Sequence, residues 1–69
     1  LPSRSEAKKV LSGAERFSSI VIDFKGVESI GQGFADEVFR VFQARFPEIK
    51  IDTKNAGEFI LRMIAHVKR

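Results

Sequence analysis

The fold of this chain is decided by residues 19–46, SIVIDFKGVESIGQGFADEVFRVFQARF. The run from Ile20 to Phe24 is rich in β-branched residues and too short for a helix, so it predicts a strand. Its apolar side chains point to both sides, which is typical of a central strand covered on both faces. Loop residues 25–33 contain three glycines and lead into an amphipathic helix that ends before Pro47. The segment is therefore predicted to be a strand–loop–helix unit.

The flanking segments are predicted to add two helices and a second strand. Ser3 and Glu6 have the spacing of a capping box, which indicates a helix from about Ser5 to Arg16. Residues 49–52 alternate between apolar and charged side chains, as a half-buried strand does. The apolar face of the last predicted helix is formed by Ala56, Phe59, Ile60, Met63, Ile64 and Val67.

The predicted order of elements is α-β-α-β-α, an α/β fold in which the two strands pair in parallel through a right-handed crossover. Two parallel strands leave two open edges, whereas parallel sheets are normally paired and covered. We therefore expect the sheet to be completed by strands upstream of Leu1 or by a second copy of the chain, as a homo-oligomer. Because residue 1 is not Met, residues 1–69 are interpreted as a single domain, the C-terminal part of a longer chain.

The composition argues against several functional classes. The 69 residues include no cysteine, which excludes disulfides and thiolate metal sites and favours a reducing, cytoplasmic setting. A lone His66 cannot form a zinc site, and no apolar run reaches the ~20 residues that a membrane span requires. The net charge of +3 arises largely near the two ends of the chain. A nucleic-acid-binding module that uses these basic residues is an alternative function, although the phenylalanines are predicted to lie on apolar faces instead of beside the charge.

Gly31 and Gly33 stand just before the central helix, as the glycines of a phosphate-binding loop do. No complete phosphate-loop motif is present, and Asp36 and Glu37 in the first turn would repel an anion, so a tight turn is the preferred interpretation. The two acids point about 100° apart on a helix and are expected to complement its dipole instead of sharing a metal. Asp36 and Arg40 have the spacing of an i,i+4 ion pair. No catalytic, cofactor or metal site is predicted.

A longer motif resembles a known family. The string DFKGVESIGQGFADEVFRVF, preceded by SRSEAK and followed by FPEIKI and NAGEFILRMI, resembles the STAS-like domain family of unknown function. That family is related in fold to the sulfate-transporter and anti-sigma-factor-antagonist (STAS) domains. The resemblance covers about Leu1 to His66 and implies a STAS-like fold, which would normally have further strands upstream. It implies a bacterial regulatory binding module and not an enzyme.

In the STAS antagonists, the loop and helix start after the central strand form the recognition surface, where a partner kinase phosphorylates a serine. On this chain the resemblance implies the partner-binding residues Ser29, Gly31, Gln32, Gly33, Asp36, Glu37 and Arg40. The place of the switch serine falls on or beside Gln32 and Gly33, which have no hydroxyl, so that switch is not expected here. The implied partner is a histidine-kinase-type ATPase domain, and a fragment of a larger ATPase-type signalling protein is a further alternative.

Polar residues near the ends of elements have two interpretations in the sequence. Arg4, Arg40 and Asn55 could tie loops together or contact a partner.

Overall fold

The computed structural model describes all residues from 1 to 69 and has an α/β architecture. Three helices pack on a two-stranded parallel sheet, which confirms the predicted fold class. In chain order the elements are helix α1 (Arg4–Leu11), a 3₁₀ turn (Ala14–Arg16), strand β1 (Ser19–Asp23), helix α2 (residues 32–45), strand β2 (Lys50–Lys54) and helix α3 (Glu58–Lys68). None of the helices is long and apolar enough to cross a membrane.

The first helix begins as predicted but is shorter than the sequence indicates. At its start the Glu6 amide donates to Ser3 Oγ (3.4 Å) and the Ser3 amide donates to Glu6 Oε1 (3.2 Å), which completes the capping box. The helix ends at Leu11 because Gly13 adopts φ +81°, in the left-handed region where an α-helix cannot continue. The predicted extension to Arg16 is therefore wrong, since only a 3₁₀ turn follows the glycine.

Helix α2 is continuous but contains one widened segment. Regular α-helix at Gln32–Asp36 passes into π-helix at Glu37–Phe42 and returns to α-helix at Gln43–Arg45. A π turn adds a residue to the helical repeat, so the later side chains are rotated relative to a uniform α-helix. The helix still begins and ends where the sequence predicts, because the loop glycines precede it and Pro47 follows it.

The sheet is covered on one face only. The strands pair in register from Ser19 opposite Lys50 to Asp23 opposite Lys54. Ile20 and Ile22 turn inward and pack against the core, whereas Val21, on the opposite face, is 60% exposed. The prediction of a strand covered on both faces is therefore wrong, because only alternate residues of the strands pack against the core and those between them stay exposed.

The buried apolar residues form a single core cluster that includes all three helices. It contains Ala7, Leu11, Ala14, Phe24, Ile30, Phe34, Ala35, Val38, Phe39, Phe42, Ile49, Ile60, Ile64 and Val67. Phe59, which the sequence assigned to this core, is instead 74% exposed. Helix α3 turns Ile60, Ile64 and Val67 inward, and Phe59 lies one residue round the helix from that face, where no element covers it.

Candidate functional site

The seven residues that the resemblance assigned to partner binding lie along the end of the β1–α2 loop and the first half of α2. These seven residues differ in solvent exposure. Gln32 and Arg40 are exposed, and Glu37 is buried, with a relative exposure of 9%. The half-buried members are Ser29, Gly31, Gly33 and Asp36. Glu37 belongs to the polar side of the amphipathic helix, where exposure would be expected, but it is buried because α1 packs over that side.

The N-terminal segment passes close to the two glycines that precede and begin α2. The Gly31 amide donates to the Pro2 carbonyl oxygen at 3.0 Å. A Cβ at position 31 would lie 3.0 Å from that oxygen, and a Cβ at position 33 would lie 3.3 Å from the Cβ of Arg4. Neither glycine has a positive φ. These glycines therefore allow a close approach of two backbones and do not form the tight turn that the sequence suggested.

An ion network connects α1 to the start of α2. Arg4 donates from Nη2 to Asp36 Oδ2 at 3.0 Å and from Nη1 to Glu37 Oε1 at 3.1 Å. Arg40 also donates to Asp36, through Nε and through Nη2, the latter at 2.9 Å. The i,i+4 pair of Asp36 and Arg40 is thus confirmed. The sequence identified Arg4 as a residue that could tie segments together, but it did not indicate that Asp36 and Glu37 are its partners.

The two arginines lower the pKa of Asp36. Hydrogen bonding from Arg40 is the largest cause and that from Arg4 also contributes, while desolvation opposes them, so that the pKa falls from 3.8 to about 2. Because this folded-state pKa lies below the ordinary value, the carboxylate stabilises the fold above about pH 4. That stabilisation is lost as the pH falls towards 2.

Replacing Arg40 by Gln is expected to raise the pKa of Asp36 towards its ordinary value, since the largest source of its depression is removed. The pKa would be measured by following the Asp36 carboxyl carbon in an NMR pH titration. Arg62→Gln is the matched control, because Arg62 forms a similar i,i+4 pair with Glu58 on α3, away from Asp36. An Asp36 pKa that is the same in the Arg40 variant and the wild type would show that the pair does not form in solution.

A second polar contact joins the two loops at the carboxyl ends of the strands. Asp23 accepts hydrogen bonds from the Lys25 amide (3.0 Å) and from Asn55 Nδ2 (2.9 Å), and Asn55 adopts φ +58°. These hydrogen bonds, that from Asn55 first, lower the pKa of Asp23. Asp23 therefore caps the turn after β1, and Asn55 ties the loops together.

The structure contains no cluster of side chains typical of a metal site. No group of three His, Cys, Asp or Glu side chains is close enough to hold a metal ion. Asp36 and Glu37 do come near each other, but Arg4 lies against both carboxylates. His66 is exposed on α3. The start of α2 therefore presents two carboxylates that are both paired with the same arginine.

The fold defines an α/β domain with one pair of parallel strands, and comparison with known families narrows this class. The family model described as a STAS-like domain of unknown function matches residues 6–60. The chain therefore belongs to this STAS-like family. The matched range includes Asp36, Glu37 and Arg40 and begins just after Arg4. The search of curated proteins and the search of solved structures gave no match.

Proposed function

We propose that this STAS-like domain is a non-catalytic regulatory module that binds another protein through the start of α2. The observation that carries the proposal is the network of Arg4, Asp36 and Arg40, which holds an exposed guanidinium in a defined position on a helix. The Arg40 side chain is 59% exposed although both of its contacts to Asp36 are made. A side chain that is already ordered loses less conformational entropy when a partner binds.

The proposed binding surface uses the accessible residues among those that the resemblance implies and adds Arg4. Gln32 and Arg40 supply the exposed side chains, beside the half-buried Ser29 and the outer part of Arg4. Gly31, Gly33, Asp36 and Glu37 support this surface from beneath, because they hold the N-terminal segment and α1 against α2. The proposed partner presents acidic or amide groups to Arg40, since a guanidinium binds such groups with several donors at once.

We propose a histidine-kinase-type ATPase domain as the partner and the bacterial cytoplasm as the compartment. The family resemblance supports the first, and the absence of cysteine agrees with the second. The resemblance implies that the place of the switch serine falls on or beside Gln32 and Gly33, which have no hydroxyl, so binding is proposed to be controlled without phosphorylation at that position.

The proposed function is tested by mapping ¹⁵N amide shifts while a histidine-kinase-type ATPase domain is added. The largest shifts are expected in residues 29–40, and Arg40→Glu is expected to weaken binding by about tenfold or more, as loss of an interface arginine often does. Arg62→Glu is the matched control, because it makes the same change beside Glu58 on α3. Gln32→Lys provides a second test that leaves the ion network intact. The proposal would be refuted by shifts confined to Lys50, Asp52 and the rest of the uncovered sheet face.

A further inference from the structure

The outer edge of β1 has no strand beside it. The Lys50 amide donates to the Ser18 carbonyl at 3.0 Å and the Phe24 amide donates to the Lys54 carbonyl at 2.8 Å, so the even-numbered residues of β1 direct their backbone groups to β2. In a parallel ladder the alternate residues point the other way. The amides and carbonyls of Ser19, Val21 and Asp23 therefore face the open side of the sheet, where they are available to another strand.

Exposed apolar side chains gather beside this open edge. Val10 is 58% exposed, Phe17 is 56% exposed and Val21 is 60% exposed, and all three line one hollow beside the strand. Two hollows of about 280 and 230 Å³ separate α1 from β1, and both are lined by Val10, Val21 and Ile22. Apolar side chains beside unpaired backbone groups are typical of a sheet edge that another chain covers.

The open edge of β2 is different in character. The side chains of β2 that are exposed to solvent are Lys50, Asp52 and Lys54, and the strand has no exposed large apolar residue. Charged residues, and lysines in particular, discourage edge-to-edge association. Of the two open edges, only that of β1 has the composition of an interface.

We infer that the β1 edge binds the β1 edge of a second copy of this chain, in antiparallel orientation about a two-fold axis at Val21. In this register Val21 lies opposite the partner's Val21, Ser19 lies opposite the partner's Asp23, and Phe17 lies opposite the partner's Lys25. No like charges face each other, and the Ser19 hydroxyl lies within the reach expected for a hydrogen bond to the carboxylate opposite. The strand is thus complementary to itself, as a two-fold interface requires.

The backbone groups of β1 fit the same register. In an antiparallel pair, residues that direct both backbone groups across the interface lie directly opposite one another and exchange two hydrogen bonds. Ser19, Val21 and Asp23 are these residues, and the axis at Val21 sets them against the same three residues of the second copy. The dimer would contain a continuous sheet of four strands, with the apolar hollows beside α1 covered at its centre. The dimer interface does not include Gln32 or Arg40, so this inference does not depend on the proposed function.

The inference is tested by sedimentation equilibrium of the chain from micromolar to millimolar concentration. The wild type is expected to form a dimer. Val21→Lys is expected to weaken the dimer by about tenfold or more, because it sets two like charges opposite each other at the axis. Since Val21 is mostly exposed, this variant is expected to keep its fold, which circular dichroism would check.

Proline substitutions identify which edge is used. Val21→Pro removes an amide that faces the open side and leaves the β1–β2 hydrogen bonds in place, so it is expected to produce monomers. Thr53→Pro is the matched control, because it makes the same change on the open edge of β2, and its dimer is expected to remain. A wild type that stays monomeric at millimolar concentration would overturn the inference. So would a dimer that Thr53→Pro dissociates and Val21→Lys does not.

Discussion

Ile60→Ala is expected to unfold a large part of the population at 25 °C. Ile60 is completely buried in the first turn of α3, and truncating such a residue removes its contacts and leaves a cavity, which costs about 2–5 kcal/mol. A domain of this size has a net stability of about 3–5 kcal/mol, so this single change is comparable with the whole free energy of unfolding.

The measurement is urea denaturation followed by circular dichroism. Leu61→Ala is the matched control, because it removes an aliphatic side chain of the same size from the neighbouring position of the same helix, where the residue is 50% exposed. We expect the Leu61 variant to lose less than about 1 kcal/mol, within the usual range for substitutions outside the core. Equal denaturation midpoints for the two variants would show that Ile60 is not the core residue that the structure makes it.

Glu37→Lys is the second change with a large expected effect. It would place an ammonium group at a buried position that faces Arg4, and the Arg4 guanidinium would lose one of its two carboxylate partners. An ammonium group without a partner is costly to desolvate at a position only 9% exposed, and it would also repel the Arg4 guanidinium. The variant is therefore expected to be largely unfolded, or folded only with α1 displaced from α2.

Two other variants separate charge from burial. Glu58→Lys makes the same change on α3, where Glu58 is paired with Arg62 but remains in solvent, and it is expected to shift the denaturation midpoint only slightly. Glu37→Gln keeps the shape of the side chain and an acceptor for Arg4, so its effect is expected to lie between the two. If Glu37→Lys and Glu58→Lys proved equally stable, the connection between α1 and α2 would not depend on Glu37.

The features that could be predicted from the sequence are those that depend on neighbours within one or two turns. The capping box at Ser3 and Glu6, the start and end of α2, and the pair of Asp36 with Arg40 all join residues three or four positions apart or stand at a helix boundary. The parallel pairing of the strands followed from their order and from the length of the connection between them.

The features that could not be predicted depend on which surfaces come together. Arg4 contacts carboxylates more than thirty positions along the chain, and its contact with Glu37 reverses the expected exposure of that acid. A helical pattern identifies an apolar side but cannot indicate that a second helix will cover part of the polar side as well. Phe59 shows the converse, since an apolar residue within a plausible face stays exposed when nothing packs against it.

The sequence by itself determined an α/β chain of the STAS-like type, with the boundaries of α2, the parallel pairing of the two strands and the stretch that bears the family motif. Those properties follow from local backbone preferences and short-range side-chain spacing, which do not depend on tertiary contacts. Only the tertiary structure decided that Gly31 and Gly33 receive the N-terminal segment, that Arg40 and Gln32 stay accessible, and that β1 keeps an open apolar edge. Each of these features depends on contacts between segments far apart in sequence. A local sequence pattern does not indicate which distant segments will come into contact.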